Sequence, residues 1–146
     1  MKKILLILVA IFSVGVLVVA ADNDKLINKS KLPVAAQQFL DSHFAGVDLV
    51  YAKEECKIFC SSYEVRLANG AKLEFSSKGN WEEVDCQSGA VPADVVPQPI
   101  RDYVEKNYGG EKIILIEKNR NDYELKLSNR LELKFDKNFN LYDIDD

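Results

Sequence analysis

Two stretches of this chain have nearly the same sequence, and each has the pattern of a β-hairpin. Residues 63–76 read YEVRLANGAKLEFS and residues 123–136 read YELKLSNRLELKFD, so that six of fourteen positions are identical at an offset of 60 residues. In both stretches apolar and polar residues alternate on either side of a short polar segment, which is typical of two strands joined by a tight turn. The similarity predicts an internal repeat, and any fold for the chain must contain this hairpin twice.

The alternation also predicts the length of each hairpin loop. A three-residue loop over 68–70 places Val65 opposite Leu73, so that the apolar side chains share one face. A two-residue Asn-Gly loop would place Val65 opposite a glutamate and mix apolar with charged side chains. We therefore expect three-residue loops with a G1 bulge, in which Gly70 and its counterpart Arg130 adopt a positive φ.

A helical segment precedes each hairpin. Apolar residues recur at the three-and-four spacing of a helix over 36–44 and again over 100–108, and prolines stand where each helix would begin. An apolar strand follows each helix, and a short strand follows each hairpin. The predicted fold class is α+β, with two tandem units of one helix plus a four-stranded antiparallel meander, in two layers, with the two sheets side by side.

The last strand of each predicted unit breaks the alternation. Trp81 and Val84 are three residues apart, as are Leu141 and Ile144, so a regular strand cannot bury both members of either pair. Two alternatives follow: one member of each pair faces outward, or a β-bulge intervenes.

The first 21 residues have the layout of a secretory signal peptide. Two lysines are followed by an apolar run and by small residues suited to cleavage after Ala20 or Ala21. The alternative is an uncleaved membrane anchor, because the run approaches the roughly 20 residues that span a bilayer. We expect cleavage and a periplasmic location, with a flexible leader over 22–31, a first repeat over 32–86 and a second repeat over 87–146.

Composition and motifs argue against several functions. Without residues 1–21 the chain has 17 basic and 23 acidic side chains, a net charge of −6, which disfavours nucleic-acid binding. The sequence has no nucleophile elbow, no phosphate-binding glycine loop and no paired metal ligands. The segment 136–140 is similar to the first half of a calcium-binding loop, but it lacks the central glycine and the final acid, and we interpret it as a turn. We therefore expect no enzymatic activity, no cofactor and no metal.

Three cysteines, Cys56, Cys60 and Cys86, can oxidise if the protein is exported. The first copy has four more residues before its hairpin than the second copy, and this insertion holds Cys56 and Cys60. We predict a short disulfide between these two, although connectivity cannot be deduced from sequence alone. A Cys-x-x-x-Cys redox or metal site is the alternative. Cys86 is expected to be unpaired, or to bridge two copies of the chain on occasion.

The outer face of the predicted sheets is the candidate partner-binding surface. Charged residues alternate along the outer side of each hairpin, and two aromatic residues are available as anchors, a combination typical of protein interfaces. The candidate residues are Glu64, Arg66, Lys72, Glu74, Trp81, Glu124, Lys126, Glu132, Lys134 and Tyr142. The alternative is an ordinary solvated sheet face.

The combination of these pieces resembles the PepSY-like periplasmic protein family of Bacteroides-type bacteria, which has a β-lactamase-inhibitor-protein-like fold. The resemblance rests on residues 32–39 (LPVAAQQF), 63–70 (YEVRLANG) and 79–85 (GNWEEVD), with a weaker second copy. It implies a periplasmic protein with no known enzymatic activity that binds another protein through its sheet face. The family has no established functional residues to carry over. Arg130 and Phe139 depart from the pattern, because the first copy has glycine at both positions.

We accordingly expect a non-catalytic protein-binding module, an inhibitor of an envelope protease or hydrolase that covers its target with the outer sheet face. The partner would be an envelope protein. The chain would be a monomer or weak dimer, in contact with the membrane only if the N-terminal segment is uncleaved. The alternative is a small-ligand carrier or envelope-stress scavenger with a pocket between helix and sheet. That pocket would be lined by Phe39, Phe44, Tyr63 and Phe75.

Overall fold

A computed structural model describes residues 24–56 and 61–146 of the chain. The predicted signal peptide and Cys60 lie outside these ranges. Along the chain the elements are β1 Lys25–Ile27, a 3₁₀ helix Lys29–Lys31, α1 Val34–His43, β2 Leu49–Cys56, β3 Ser61–Leu67, β4 Lys72–Phe75, β5 Trp81–Asp85, a 3₁₀ helix Ala93–Val95, α2 Gln98–Tyr108, β6 Ile113–Lys118, β7 Asp122–Leu127, β8 Glu132–Asp136 and β9 Leu141–Asp145. Neither α-helix in these ranges is long and apolar enough to cross a membrane.

The arrangement of the strands corrects the predicted fold class. The chain is α+β, but the prediction of two tandem helix-plus-four-strand units with sheets side by side is wrong. All nine strands belong to one antiparallel sheet, in which the spatial order from β1 to β9 equals the order along the chain. β5 pairs with β6, and Val84 lies opposite Ile116 at the centre of that pairing. Two separate sheets would leave the backbone groups at these two edges without partners, and the pairing satisfies them.

The first strand lies within the stretch that we expected to be a flexible leader. β1 pairs with the edge of β2, and Lys53 Nζ of β2 lies 3.2 Å from a carboxylate oxygen of Asp24. Leu32, just after the 3₁₀ helix, is buried in the core. Lys25–Ile27 are therefore a strand of the sheet rather than part of a loose leader, because their backbone groups pair with the edge of β2.

Both hairpins have the predicted register. Val65 of β3 lies opposite Leu73 of β4, and Leu125 of β7 lies opposite Leu133 of β8. All four side chains are buried beneath the helices. The alternation of apolar and polar residues thus determined the pairing, because a shift by one residue would turn every buried side chain outward.

The hairpin loops are three residues long, as predicted. In the first, Leu67 N donates a hydrogen bond to Ala71 O at 2.9 Å, and Ala71 N donates to Asn69 Oδ1 at 3.0 Å. Gly70 has a φ of +88° and Arg130, its counterpart in the second loop, has a φ of +77°. Arg130 therefore occupies a conformation that is unfavourable for a residue with a Cβ.

A β-bulge interrupts both β5 and β9. Glu82 is the extra residue in β5 and Tyr142 is the extra residue in β9. Each bulge shifts the alternation by one position, so Trp81 and Val84 both face the helices. Of the two alternatives that the sequence left open, the bulge is the one present.

Both helices cover the same face of the sheet. Each contributes two fully buried residues, Ala36 and Leu40 from α1, Ile100 and Val104 from α2. An aromatic ring of each helix meets a phenylalanine of the sheet edge to face: Phe39 meets Phe75 with centroids 5.6 Å apart, and Tyr103 meets Phe135 at 5.4 Å. Such T-shaped pairs add to the free energy of area burial. The opposite face of the sheet, the outer face, is left without a covering layer in the described ranges.

Candidate functional site

Most of the candidate binding residues lie on the outer face, as expected. They alternate along β3, β4, β7 and β8 with the residues buried under the helices. The candidates on these four strands are Glu64, Arg66, Lys72, Glu74, Glu124, Lys126, Glu132 and Lys134. Tyr142 joins them from the bulge in β9: it is 56% exposed, and its hydroxyl donates a hydrogen bond to Asp122 Oδ2 at 3.2 Å.

Trp81 is the candidate that the structure places elsewhere. Its ring centroid lies 6.3 Å from that of Phe39 on α1, and the Nζ atom of Lys118 lies 5.5 Å from the centroid of the indole. The bulge at Glu82 turns Trp81 toward the helices. Trp81 therefore packs against the core and cannot serve as an aromatic anchor on the outer face.

The strand register aligns five glutamates in one row across the outer face. Each is directly opposite the next on the neighbouring strand, from β3 to β7. We call this set the glutamate row: Glu64, Glu74, Glu83, Glu117 and Glu124. Directly opposed like charges destabilise a sheet, so the row needs cations from neighbouring positions.

Lys72 supplies one of these cations. Its Nζ atom lies 3.1 Å from Glu74 and 2.9 Å from Glu83. Burial lowers the pKa of Lys72, but its hydrogen bonds to Glu83 and Glu74 outweigh burial and raise the pKa above its ordinary value. The directly opposed glutamates Glu74 and Glu83 thus share the ammonium of Lys72.

Two residues of β2 contact the carboxylate of Glu64. Lys53 Nζ lies 3.4 Å from one carboxylate oxygen of Glu64, and the hydroxyl of Tyr51 donates a hydrogen bond of 2.5 Å to the other. Lys53 also contacts Glu55, and that hydrogen bond is the largest contribution to a pKa of Lys53 above the ordinary value. Glu64 therefore has both a cation and a phenol as partners.

Glu117 and Glu124 do not form ion pairs of this kind. No ion pair within the described residues includes either carboxylate, and Glu124 receives one long hydrogen bond, 3.4 Å, from Asn119 Nδ2. Lys134 lies opposite Glu124 in register, and the charge of Glu124 is the largest influence that raises the pKa of Lys134. The ion pairs of its Nζ atom are with Asp143 and Asp145. Burial raises the pKa of Glu117, and the charges of Glu124 and Glu83 raise it further.

A groove of about 200 Å³ opens on the outer face beside these two carboxylates. It lies between two rows of cross-strand neighbours, Glu117–Glu124 in one and Leu115–Lys126–Glu132 in the other. We call it the β6–β7 groove. Lys126 Nζ is 3.2 Å from Glu132, so its charge already has a partner on the far side of the groove from Glu117.

Sequence reasoning missed Glu83, Glu117 and the groove. Glu83 and Glu117 are 34 positions apart in the chain and become neighbours only through the pairing of β5 with β6. The prediction of two separate sheets removed that pairing. No local pattern near either residue indicates it.

The pocket predicted between helix and sheet is filled by aromatic side chains. The ring centroid of Phe39 lies 6.3 Å from that of Phe44 and 5.6 Å from that of Phe75, and Phe75 is fully buried. Tyr63, directly opposite Phe75, packs against the same core. These four side chains therefore enclose no cavity among themselves; a pocket of about 250 Å³ opens instead at the end of α1, where its lining includes Leu40, Phe44 and Leu49.

Two of the cysteines fall in the described ranges. Cys56 ends β2, exposed and opposite Ser61. Its predicted partner, Cys60, lies outside those ranges, and the disulfide stays a prediction. Cys86 is buried, and burial raises the pKa of its thiol to about 11. A buried thiol with so high a pKa is a poor nucleophile, which counts against Cys86 as a bridge between two copies of the chain.

The segment after β8 is a turn closed by its own aspartate. Asn138 N and Asn140 N donate hydrogen bonds to Asp136 Oδ1 at 2.8 and 2.9 Å, and Asn140 Nδ2 donates to Asp136 Oδ2 at 3.2 Å. These bonds, chiefly the one from Asn140 N, hold the pKa of Asp136 below its usual value. Both carboxylate oxygens are therefore used by the turn.

A family model and several solved structures are similar to this chain. A family model described as "Putative beta-lactamase-inhibitor-like, PepSY-like" matches residues 61–143. A crystal structure from Bacteroides thetaiotaomicron, described as a "putative calcium-regulated periplasmic protein", is 50% identical and covers 84% of this chain and 97% of its own, with a TM-score of 0.82.

Two crystal structures from Bacteroides vulgatus are also similar. One, described as a "putative periplasmic protein", is 48% identical over 86% of this chain and 99% of its own, with a TM-score of 0.84. The other, a "putative periplasmic protein of unknown function", is 42% identical over 84% and 99%, with a TM-score of 0.80. No curated protein matches the chain.

The described residues contain no cluster of acidic side chains arranged as calcium ligands. The one segment with a calcium-loop pattern, 136–140, uses both oxygens of Asp136 in its own turn. No three carboxylate, histidine or cysteine side chains converge as metal ligands in residues 24–56 and 61–146. The calcium regulation in the description of one relative therefore finds no counterpart in these side chains.

Proposed function

The chain belongs to the PepSY-like, β-lactamase-inhibitor-like family, and from that membership we propose that it is a non-catalytic periplasmic module whose outer face binds another envelope protein. A periplasmic location is supported by the three solved relatives, each of which is described as periplasmic. A signal peptide over residues 1–21 would deliver the chain there. The protein would act by binding alone, without a chemical step.

The observation that carries this proposal is a pair of adjacent carboxylates on the outer face, neither of which forms an ion pair in the described residues. Glu117 and Glu124 lie side by side in the middle of a sheet face that no element of the described chain covers. A partner with a basic surface would supply the missing cations. Complementary charge also accelerates encounter and excludes acidic competitors.

We further propose that the partner is an envelope protease or hydrolase and that binding inhibits it. The support is the family's likeness to β-lactamase inhibitors. Inhibition would be by occlusion, since a rigid sheet face laid across the rim of an active site excludes substrate.

Reversal of the two unpartnered charges tests the proposal. The exported, tagged protein is cross-linked in periplasm, the captured protein is identified, and its affinity is then measured with purified components. We expect Glu117→Lys combined with Glu124→Lys to weaken binding at least tenfold. The matched control is Asp94→Lys with Glu105→Lys, the same charge change at exposed positions near and on α2, and it should bind as the wild type does. Equal binding by both variants would exclude the outer face.

Inhibition has its own measurement. Once the partner is purified, its hydrolytic rate is recorded with increasing amounts of wild-type protein and of the Glu117→Lys/Glu124→Lys variant. A rate that falls with wild-type protein alone supports inhibition, whereas an unchanged rate despite binding would refute the inhibitor role and leave the binding role in place.

A further inference from the structure

Glu64 and Glu124 occupy equivalent positions in the two hairpins, but their neighbours on the preceding strand differ. β2 pairs with β3 in the same register as β6 pairs with β7: Lys53 opposite Glu64 corresponds to Glu117 opposite Glu124. One step along the strands, Leu115 stands where β2 has Tyr51. Glu124 therefore lacks, on the β6 side, the ammonium and the phenol that β2 provides to its equivalent, Glu64; the lysine opposite Glu124 is Lys134 on β8.

The β6–β7 groove lies where those two missing side chains would be. Tyr51 covers the first hairpin at the equivalent place and reaches Glu64 with its hydroxyl. Leu115 is shorter and has no polar atom, so it leaves an apolar wall beside two carboxylates, and the open volume there is about 200 Å³. The charge of Glu124 is the largest influence that raises the pKa of Lys134, but the ion pairs of Lys126 and Lys134 are with Glu132, Asp143 and Asp145, and neither lysine forms one with Glu117 or Glu124.

We propose that the β6–β7 groove is the site where the partner protein inserts an arginine side chain, with its aliphatic stem on Leu115 and its guanidinium between Glu117 and Glu124. This inference rests on the proposed function and names the chemistry of the partner at one point of contact. The partner's arginine would give Glu124 a positive charge and hydrogen-bond donors from outside the chain, as Lys53 and Tyr51 give them to Glu64 from within it.

Arginine fits both sides of the groove. Its stem packs on apolar surface while its charged end stays at the polar rim. The planar guanidinium has five donors and bonds carboxylates through two parallel hydrogen bonds, a geometry that the ammonium of lysine lacks. Arginine is also enriched among the few residues that carry most of the binding energy of an interface.

The chain itself indicates a variant that closes the groove. Leu115→Tyr with Glu117→Lys installs on β6 the residues that β2 has at the equivalent positions, so Glu124 gains an internal phenol and ammonium. The variant is expected to fold, because the same set already exists in β2 at the same register. Leu26→Tyr with Glu105→Lys makes the same chemical changes at exposed positions on β1 and α2, and it serves as the matched control.

The first measurement uses a defined probe. Nα-acetyl-arginine N-methylamide is titrated into the ¹⁵N-labelled protein, and the corresponding citrulline amide, which has the same shape without the charge, is the reference ligand. We expect saturable amide shifts in β6 and β7 at millimolar arginine amide, and at least fivefold weaker binding of the citrulline amide. The shifts should be lost in Leu115→Tyr/Glu117→Lys and retained in the control Leu26→Tyr/Glu105→Lys. Equal binding of the two amides, or shifts that persist in that variant, would overturn the proposal.

Partner affinity separates this inference from the proposed function. We expect Leu115→Tyr/Glu117→Lys to weaken binding of the captured envelope protein about tenfold or more. If that variant binds normally while Glu117→Lys/Glu124→Lys does not, the groove is refuted and the outer face stands. If neither variant affects a captured partner, the proposed function fails, even where the arginine amide still binds in the groove.

Discussion

Replacement of Glu117 by glutamine is expected to stabilise the protein at neutral pH. Glu117 lies directly opposite Glu83 on one side and Glu124 on the other. Its carboxylate has no ion-pair partner in the described part of the chain. Glutamine keeps the length and shape of the side chain and removes the charge, so the substitution relieves two repulsions and loses no ion pair.

The magnitude follows from the number of opposed pairs. A like-charged pair directly opposite across two strands costs on the order of 0.2–1 kcal/mol, and Glu117 takes part in two such pairs. We therefore expect Glu117→Gln to raise the free energy of unfolding by about 0.5–2 kcal/mol at pH 7.5. Added salt should reduce the gain, because the charges lie at a solvent-accessible face.

The pH dependence has a definite sign. The pKa of Glu117 is raised in the folded state above the ordinary value of 4.5, so the folded protein binds this proton more tightly than the unfolded chain does. The wild type consequently gains stability as the pH falls through the raised pKa, and the gain is complete below about 4.5. The advantage of Glu117→Gln should therefore be largest above the raised pKa and disappear near pH 4.

Urea unfolding followed by fluorescence measures this difference. Trp81 is the single tryptophan and packs against Phe39, so its emission reports loss of the core. Glu105→Gln, at an exposed position on α2, is the control and should change stability by less than about 0.5 kcal/mol. A Glu117→Gln variant that is no more stable than wild type at pH 7.5, or one equally stabilised at pH 4, would refute the reasoning.

Two further predictions concern backbone strain and one concerns a thiol. Arg130→Gly should stabilise the protein by about 1 kcal/mol in the same assay, because φ at this position is +77°; a loss of stability would contradict this. Gly79→Ala should destabilise it by about 2–3 kcal/mol, since the added Cβ would lie 2.7 Å from Pro33 Cβ at a φ of +83°. Cys86, with its pKa raised to about 11 by burial, should resist iodoacetamide at pH 8 in the folded protein and react in urea; rapid reaction without urea would contradict its burial.

The hairpins could be predicted because the residues that determine their register lie within a few positions of each other in the sequence. Once a three-residue loop is set, the alternation places Val65 opposite Leu73 and leaves no other register that buries apolar residues together. The positive φ of Arg130 follows from the same argument, because the second loop must repeat the geometry of the first.

The sheet as a whole could not be predicted in this way. β5 and β6 are separated by α2 and its flanking segments, and they pair through three residues each. One of those pairs, Glu83 with Glu117, opposes like charges, so side-chain complementarity gives no indication of it. The first strand was missed for a related reason: β1 has three residues in a polar stretch, and its pairing depends on the backbone of β2.

The candidate site was predicted in part. The outer face and eight of its ten candidate residues follow from the alternation. The other two lie at bulges whose presence the sequence left open: Tyr142 is on the outer face, and Trp81 faces the helices. The β6–β7 groove could not be predicted, because Leu115 and Tyr51 can be recognised as equivalent positions only when the registers of β2 with β3 and of β6 with β7 are known.

The strands have the same order in the sheet as in the chain, and this order affects how the protein folds. Every strand pairs with the one made just before it, so a chain that emerges N-terminus first can complete each ladder before the next strand arrives. Short sequence separations between pairing strands favour rapid folding, and no strand must wait exposed for a distant partner, which lowers the exposure of free edges to aggregation. The slowest closure is expected at the junction of β5 with β6, where α2 must form and dock before the ladder can continue.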